Sequence, residues 1–317
     1  MAVHQQPPAL PYAQESVQTL RHRMASFEQL DLVKKSRDLG ELFKPTITGL
    51  SVLMAAMGVW LANVPVDFST WTLVLIGVGL VVGSANTLNM YLEIDIDKRM
   101  SRTRNRPLPA GRMHEKTALW FGMAQSIIGL PVLYIAGGLL PTALGAFGLV
   151  SYVMVYTPLK VQTPLALVIG SVPGAVPPLI GWAAATGEIG SPGLVLFGIV
   201  FFWQMPHFLA IAMYRKPDYI RAGIRVVPVV RGDRMAKLQA VAWATALIPV
   251  SLLLVPFGAA GGVYFVGTLG ISVWFAIHCI RGFGNVRRVV WGRRVLLASL
   301  VYLPAVSVVL VLDRLVG

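Results

Sequence analysis

Three oxygen-bearing side chains, Asn89, Glu93 and Asp97, follow one another at intervals of four residues. On a helix this interval rotates each side chain by only about 40°, so the three share one face. Carboxylate and amide oxygens suit a hard cation such as Mg²⁺, which also shares oxygens with substrate phosphates. The spacing therefore predicts that these three residues bind Mg²⁺. Asp95, about 200° around the helix from Glu93, is expected to face elsewhere.

The chain becomes strongly basic directly after this acidic stretch. Arg102, Arg104 and Arg106 alternate with other residues, and guanidinium groups bind phosphate oxygens in a two-pronged geometry. The combination predicts a site for a magnesium-bound diphosphate. Solvated salt bridges at a helix end are the simpler alternative. However, Asn89 and Glu93 lie within or at the edge of an apolar run, where ionisable groups are usually functional.

Two further loops carry candidate residues. Asp218, beside Tyr219, is the only carboxylate between Glu188 and Asp233, and it is either a salt-bridge partner or a second metal ligand. Lys160 is the sole basic residue of its loop, and it either anchors a helix at the headgroups or contacts phosphate as a point charge. Both alternatives stay open. The candidate catalytic residues are Asn89, Glu93, Asp97, Lys160, Asp218 and Tyr219.

Aromatic residues and one histidine within apolar runs are candidates for the wall of a cavity. His207 follows Gln204 and Pro206 in the same apolar run. A lone membrane histidine is more often hydrogen-bonded to a neighbour than it is a ligand, and a ligand or cation-stabilising role is the functional alternative. Trp203 and Tyr156 are the other two candidates of this kind.

The composition indicates a polytopic membrane protein. Of the 317 residues, 56% are hydrophobic and only 13% are charged, against about 25% charged in a typical soluble domain. Nine apolar runs are long enough to span a bilayer as helices, which predicts an all-α fold. The runs are Pro45–Val64, Thr72–Leu92, Thr117–Ile135, Leu139–Tyr156, Leu165–Ala185, Gly193–Tyr214, Leu238–Phe257, Gly261–Ile280 and Val295–Leu312.

The distribution of positive charge predicts the orientation. With nine spans, all of the 27 Lys and Arg residues except Arg314 fall on one side of the membrane. The positive-inside rule makes that side, with the N-terminus, cytoplasmic. The net charge of +13 thus reflects topology, and nucleic acid is not an expected partner. Residues 1–43 form a polar tail with an amphipathic lead-in, and residues 44–317 form the transmembrane domain.

Several separated motifs resemble, in order, those of the haem-modifying branch of the UbiA superfamily of intramembrane prenyltransferases. The first is N-x3-E-x-D-x-D-x2-M-x-R-T-R-N-R-P-L, and the others include Y-T-P-L-K and W-Q-M-P-H-F. The resemblance covers the chain from about Phe43 to its end. The matching segments are Asn89–Leu108, Tyr156–Lys160, Gly170–Trp182, Trp203–Phe208 and Asp218–Ile224.

The resemblance implies nine helices around a central cavity that opens into the bilayer. It implies transfer of a farnesyl group from farnesyl diphosphate to a vinyl group of haem b, with addition of water. Mg²⁺ would be the cofactor, held by Asn89, Glu93, Asp97 and Asp218. The diphosphate would contact the residues Arg102, Arg104, Arg106 and Lys160, and the haem or cavity candidates are His207, Trp203 and Tyr156.

The resemblance also implies a location and partners. The expected site is the bacterial inner membrane, or the mitochondrial inner membrane if the source is eukaryotic. A haem A synthase or a terminal oxidase assembly protein is a candidate downstream partner.

Two positions depart from the superfamily pattern. Many members have aspartate where Glu93 stands, and Ala222 occupies the position of the second aspartate in the common D-x3-D motif. The second departure leaves the number of metal ions open. The alternatives are a prenyltransferase with a quinone or other aromatic acceptor, a membrane transporter and a structural scaffold.

Overall fold

The computed structural model describes residues 33–283 and 286–316, and within those ranges it contains nine helices long and apolar enough to cross a membrane, and no strand. The prediction of an all-α polytopic fold is therefore confirmed. Most of the predicted tail lies outside the described residues, and residues 33–43 are helical. The nine helices are α1 Pro45–Ala62, α2 Phe68–Leu92, α3 Glu115–Gly137, α4 Leu139–Leu159, α5 Ala166–Thr186, α6 Ser191–Tyr214, α7 Gly232–Leu252, α8 Gly262–Ile280 and α9 Arg288–Val316.

The predicted runs differ most from the helices at α7 and α9. Helix α7 begins at Gly232 rather than Leu238, and α9 begins at Arg288 rather than Val295. Both helices start among basic residues. A prediction based on apolar runs alone does not include such residues in a span. Long basic side chains extend from a helix end towards water, so a helix can continue through them.

Helix α5 is the most buried of the nine and packs against α1, α4 and α6. Its crossing with α1 depends on glycine. A Cβ atom at Gly58 of α1 would collide with the backbone of Pro178, and one at Gly181 of α5 would collide with the backbone of Ala55. Small residues let membrane helices approach closely. The two glycines therefore set the distance between two helices that line the cavity described below.

The loops that carry the candidate residues meet at one end of the bundle. Arg112, which follows the first motif, donates to Asp38 before α1 at 2.9 Å. Backbone N–H of Arg225 donates to the carbonyl of Lys160 at 3.1 Å, which joins the loop after α6 to the loop after α4. This arrangement agrees with the predicted segregation of charge to one side, while the cytoplasmic identity of that side stays a prediction.

At the opposite end of the bundle, the last turns of α9 contact the start of α8 and the end of α1. Asp313 accepts hydrogen bonds from the backbone N–H groups of Gly261 and Tyr264, at 2.6 and 2.8 Å. Arg314 donates to the carbonyls of Trp60 and Leu61, at 2.8 and 2.7 Å. The two charged side chains thus satisfy backbone groups at the start of α8 and the end of α1.

Candidate active site

A cavity of about 400 Å³ lies within the bundle, beneath the charged loops. Its loop end is lined by polar and charged side chains, and its deeper part is lined by apolar residues such as Leu50, Met54, Val81 and Ile180. Such a combination of apolar walls and a few convergent polar groups is typical of sites for small molecules. The cavity suits an amphipathic molecule with a charged head and an apolar tail.

The predicted metal-binding stripe faces this cavity, although it does not lie on one continuous helix. Helix α2 ends at Leu92, and Glu93 takes a non-helical backbone conformation (φ −102°, ψ 14°) before a short helix, Ile94–Lys98. The i to i−4 hydrogen bonds nevertheless continue, from Glu93 N to Asn89 O at 3.0 Å and from Asp97 N to Glu93 O at 2.8 Å. Because the helical spacing is kept, all three side chains are buried and line the cavity.

Each member of the stripe has a cationic partner. Lys160 Nζ lies 2.8 Å from Glu93 Oε1, and Arg106 Nη1 lies 2.7 Å from Asp97 Oδ2. Lys44 Nζ donates to Asn89 Oδ1 at 3.3 Å. Buried carboxylates require such compensation. The three cations thus line the same part of the cavity as the three oxygen-bearing side chains.

This set of side chains fits a Mg²⁺–diphosphate complex. Two carboxylates and one amide supply oxygen donors, and Mg²⁺ usually takes one or two carboxylates and completes its shell with waters and phosphate oxygens. No group of three or more His, Cys, Asp and Glu side chains able to hold a metal occurs among the described residues. Any metal here would therefore depend on the amide of Asn89 and on non-protein oxygens.

Lys44 is a candidate site residue that the sequence interpretation missed. It precedes Pro45 at the start of α1, where a lysine normally indicates only the membrane boundary. Burial, together with the charges of Arg106 and Lys160, lowers the pKa of Lys44 to about 7. An anionic ligand bound between Lys44, Arg106 and Lys160 would offset the repulsion among these three cations and so stabilise their charged forms.

The arginines of the first motif divide into two groups. Arg102 and Arg106 line the cavity, whereas Arg104 is exposed and does not line it. The segment after the short helix is a series of turns without a regular repeat, so residues two positions apart do not have to face the same side. The geometry supports diphosphate contacts for Arg102 and Arg106 and gives no support to the predicted contact by Arg104.

Asp218 is buried but does not line the cavity. Its carboxylate accepts a hydrogen bond from Ser101 Oγ, which lies 2.8 Å from Oδ1 and 3.0 Å from Oδ2, and it also pairs with Arg221. Although burial alone would raise it, these donors together lower the pKa of Asp218. The geometry favours the salt-bridge alternative over the predicted second metal ligand, because the carboxylate is used to join two loops. Tyr219, the next residue, does line the cavity.

Tyr156 and Lys160 are positioned by the irregular end of α4. The segment Ser151–Tyr156 is a π-helix, a feature often found at functional sites. Lys160 Nζ lies 4.5 Å from the centroid of the Tyr156 ring, a cation–π distance. Asn89 Nδ2 donates to Thr157 Oγ1 at 3.1 Å. The end of α4 therefore contacts Asn89 and positions Lys160 beside Glu93.

His207 and Trp203 lie on α6 and line the deeper, largely apolar part of the cavity. Their rings stack, with centroids 5.0 Å apart. His207 Nδ1 lies 2.7 Å from Ser299 Oγ on α9. The hydrogen bond to a neighbour that the sequence interpretation expected is thus present, and the ring still lines the cavity.

Comparison with known proteins shows the family of this chain. The UbiA prenyltransferase family model matches residues 51–309. A protoheme IX farnesyltransferase from Anaeromyxobacter sp. (strain Fw109-5) is 44% identical over 277 residues, which cover 87% of this chain and 93% of the relative. The protoheme IX farnesyltransferase of Myxococcus xanthus (strain DK1622) is 42% identical over 284 residues, covering 87% and 94%.

The fold is similar to those of solved UbiA proteins at low sequence identity. A structure described as digeranylgeranylglyceryl phosphate synthase has a TM-score of 0.75 at 15% identity and covers 90% of this chain and 100% of its own. A UbiA homologue from Archaeoglobus fulgidus bound to GPP and Mg²⁺ has a TM-score of 0.62 at 15% identity, covering 86% and 99%. The chain is therefore a multi-pass membrane prenyltransferase that belongs to the UbiA family, among relatives named protoheme IX farnesyltransferase.

Proposed function

We propose that this protein transfers a farnesyl group from farnesyl diphosphate to a vinyl group of haem b, with Mg²⁺ bound at Asn89, Glu93 and Asp97. The observation that carries the proposal is the cavity itself, which has buried carboxylates and cations at one end and apolar walls beyond them. Relatives of 42% and 44% identity bear the name of this activity. The GPP and Mg²⁺ bound to the Archaeoglobus protein support the choice of a prenyl diphosphate and of the metal.

The charged end would stabilise the leaving group. Breaking the allylic C–O bond leaves a carbocation and a diphosphate whose negative charge grows in the transition state. Arg102, Arg106 and Lys160 line the cavity and would hold that charge by charge-assisted hydrogen bonds. Mg²⁺, when bound, supplies Lewis-acid stabilisation of the same oxygens. The ion pairs of Glu93 and Asp97 would open so that the cations could contact diphosphate.

The apolar part of the cavity would bind the farnesyl chain and exclude water from the carbocation. The vinyl group of the acceptor would form the new C–C bond, and the positive charge would move to the carbon beside the porphyrin ring. Water would then add its oxygen to that carbon and release a proton. Water must be excluded from the farnesyl carbocation until the C–C bond has formed, because hydration is the later step.

The test is incubation of the purified full-length protein with haem b, farnesyl diphosphate and Mg²⁺, followed by mass analysis of the pigments. We expect haem b to gain one farnesyl group and one hydroxyl group, and Asp97→Asn to abolish the product without loss of membrane insertion. A prenylated quinone precursor with unmodified haem would show that the acceptor is wrong. Wild-type turnover by both Asp97→Asn and Glu93→Gln would contradict the metal site.

The location and orientation belong to the same proposal. A bacterial inner membrane, or a mitochondrial one in a eukaryote, with the charged loops in the cytoplasm or matrix would give the site access to soluble Mg²⁺ and to farnesyl diphosphate. Cysteine labelling of the loop residue Ser101 from each side of sealed vesicles would test the orientation. A haem A synthase or oxidase assembly partner stays a prediction.

A further inference from the structure

One buried serine on α9 fixes two rings of α6 in the cavity wall. Ser299 is fully buried. Its carbonyl accepts a hydrogen bond from Trp203 Nε1 at 2.8 Å, and its hydroxyl oxygen lies 2.7 Å from His207 Nδ1. The Trp203 and His207 rings are stacked at an angle of 22°. The position of the His207 ring is thus determined by contacts on one edge and on one face.

The contacts of Ser299 also determine which nitrogen of His207 carries the proton. Ser299 Oγ lies 2.6 Å from the carbonyl oxygen of Leu296, which can only accept a hydrogen bond. The single hydroxyl proton must be donated to this carbonyl, because two oxygens without a proton between them would repel each other at that distance. Ser299 Oγ therefore accepts from His207 Nδ1–H, and Nε2 of the neutral ring has the lone pair.

Among the residues that the structure describes, none is a hydrogen-bond partner of the Nε2 lone pair. Within the described part of the chain, no hydrogen bond to Nε2 occurs, and the ring is partly exposed to the cavity. The cavity lining contributed by α6 and α9 is largely apolar and includes Phe208, Ile211 and Leu303, with Gln204 as a polar member. An imidazole that donates Nδ1–H to a buried acceptor and leaves Nε2 free is the usual arrangement of a histidine that ligates a metal.

We propose that Ser299 is a positioning residue, which holds His207 in the Nδ1–H tautomer so that Nε2 ligates the iron of the porphyrin acceptor. The inference rests on the proposed function, because only a metalloporphyrin substrate brings iron into this cavity. Ligation at His207 would fix the porphyrin on α6 in the deeper part of the cavity. The opposite tautomer would place a proton on Nε2 and block ligation.

The first test is spectroscopic and needs no turnover. The purified full-length protein is titrated with ferric and ferrous haem b without farnesyl diphosphate or Mg²⁺. We expect absorption and electron paramagnetic resonance spectra of histidine-ligated haem in the wild type and their loss in His207→Ala. Added imidazole should restore them. An unchanged haem spectrum in His207→Ala would overturn the proposal.

The second test addresses Ser299 directly. Ser299→Ala should weaken haem b binding by about 10- to 100-fold, the usual cost of losing a partner of a metal-ligating histidine, and should shift the iron–histidine stretching frequency in resonance Raman spectra. Ser307→Ala is the matched control, because within the described residues the Ser307 hydroxyl on the same helix donates to the carbonyl of Leu303 and contacts no cavity ring. We expect wild-type spectra from this control.

The outcomes separate the inference from the proposed function. A Ser299→Ala protein with wild-type affinity and frequency would overturn the tautomer argument even if His207→Ala proved unstable. If the wild type farnesylates haem b but neither variant alters the spectra, only the inference fails. If the wild type binds no haem and yields no haem product, both fail.

Discussion

The two acidic loops of this protein lie at the same end of the bundle, yet they present their carboxylates differently. Glu93 and Asp97 are buried and line the cavity, each with one cationic partner. Asp218 is equally buried, but it lies off the cavity and accepts hydrogen bonds from Ser101 and Arg221. We propose that the first loop exchanges its partners for a ligand, whereas the second holds the first loop in place.

An apolar contact supports the same distinction. Met100 of the first loop packs with Ala222 and Ile224 of the second, in a small cluster separate from the main core. Together with the Ser101–Asp218 hydrogen bonds, this cluster joins two segments that are far apart in sequence. A carboxylate near a metal motif is therefore not necessarily a ligand. Its hydrogen-bond partners and its access to the cavity distinguish the two roles.

The largest effect is expected from neutralising the cavity-lining carboxylates. Glu93→Gln and Asp97→Asn should each reduce prenyl transfer by at least about 10²-fold, comparable to the loss of one group that stabilises developing charge. The amounts of inserted protein should stay similar. Product formation per milligram of purified protein is the measurement, and retention of more than a tenth of the activity in both variants would remove the distinction between the loops.

The arginines should follow the same division by access to the cavity. Arg106→Ala should reduce activity by about 10- to 100-fold, since a hydrogen bond to a charged group contributes about 1.5–3 kcal/mol. Arg104→Ala, the exposed control two residues away, should change activity less than threefold, roughly the range of surface substitutions. Steady-state rates at varied farnesyl diphosphate would measure both. Equal losses in the two variants would place Arg104 at the diphosphate.

Asp218→Asn should have an intermediate effect if the residue joins the loops. We expect a lower thermal unfolding temperature and a loss of activity of about tenfold, because Ser101 and Arg221 lose a charged acceptor. Ser101→Ala should reproduce part of both effects, since it removes the hydroxyl donor to the same carboxylate. If Asp218→Asn were as inactive as Asp97→Asn and its unfolding temperature were unchanged, Asp218 would instead be a second metal ligand.

The smallest effect is expected at Asp95, the third carboxylate of the first loop. Its side chain is 85% exposed and pairs with Lys98 on the surface, and such pairs contribute little to stability. Asp95→Asn should leave prenyl transfer within about twofold of wild type. Because Asp95 lies two residues from Glu93 and from Asp97, it is the matched control for both. A loss as large as theirs would contradict the assignment of the stripe.

Much of the site could be predicted because its signals are local. The interval between Asn89, Glu93 and Asp97 is a property of one segment. The three side chains keep a common face beyond the end of α2 because the i to i−4 hydrogen bonds continue through Glu93. Lys44 and Ser299 gave no such signal. A lysine before an apolar run and a serine within one are common in membrane helices, and only their distant partners, Asn89 and His207, distinguish them.

By itself the sequence determined the nine spans, the collection of charge on one side and the identity of the first motif, because hydropathy and helical spacing act within short segments. Tertiary structure alone decided which charged groups reach the cavity. Arg106 and Arg104 are chemically identical, as are the carboxylates of Asp97 and Asp218. Residue type therefore does not indicate which of these side chains faces the cavity. Their roles differ because the packing of α2, α4 and α6 admits one member of each pair to the cavity and leaves the other outside it.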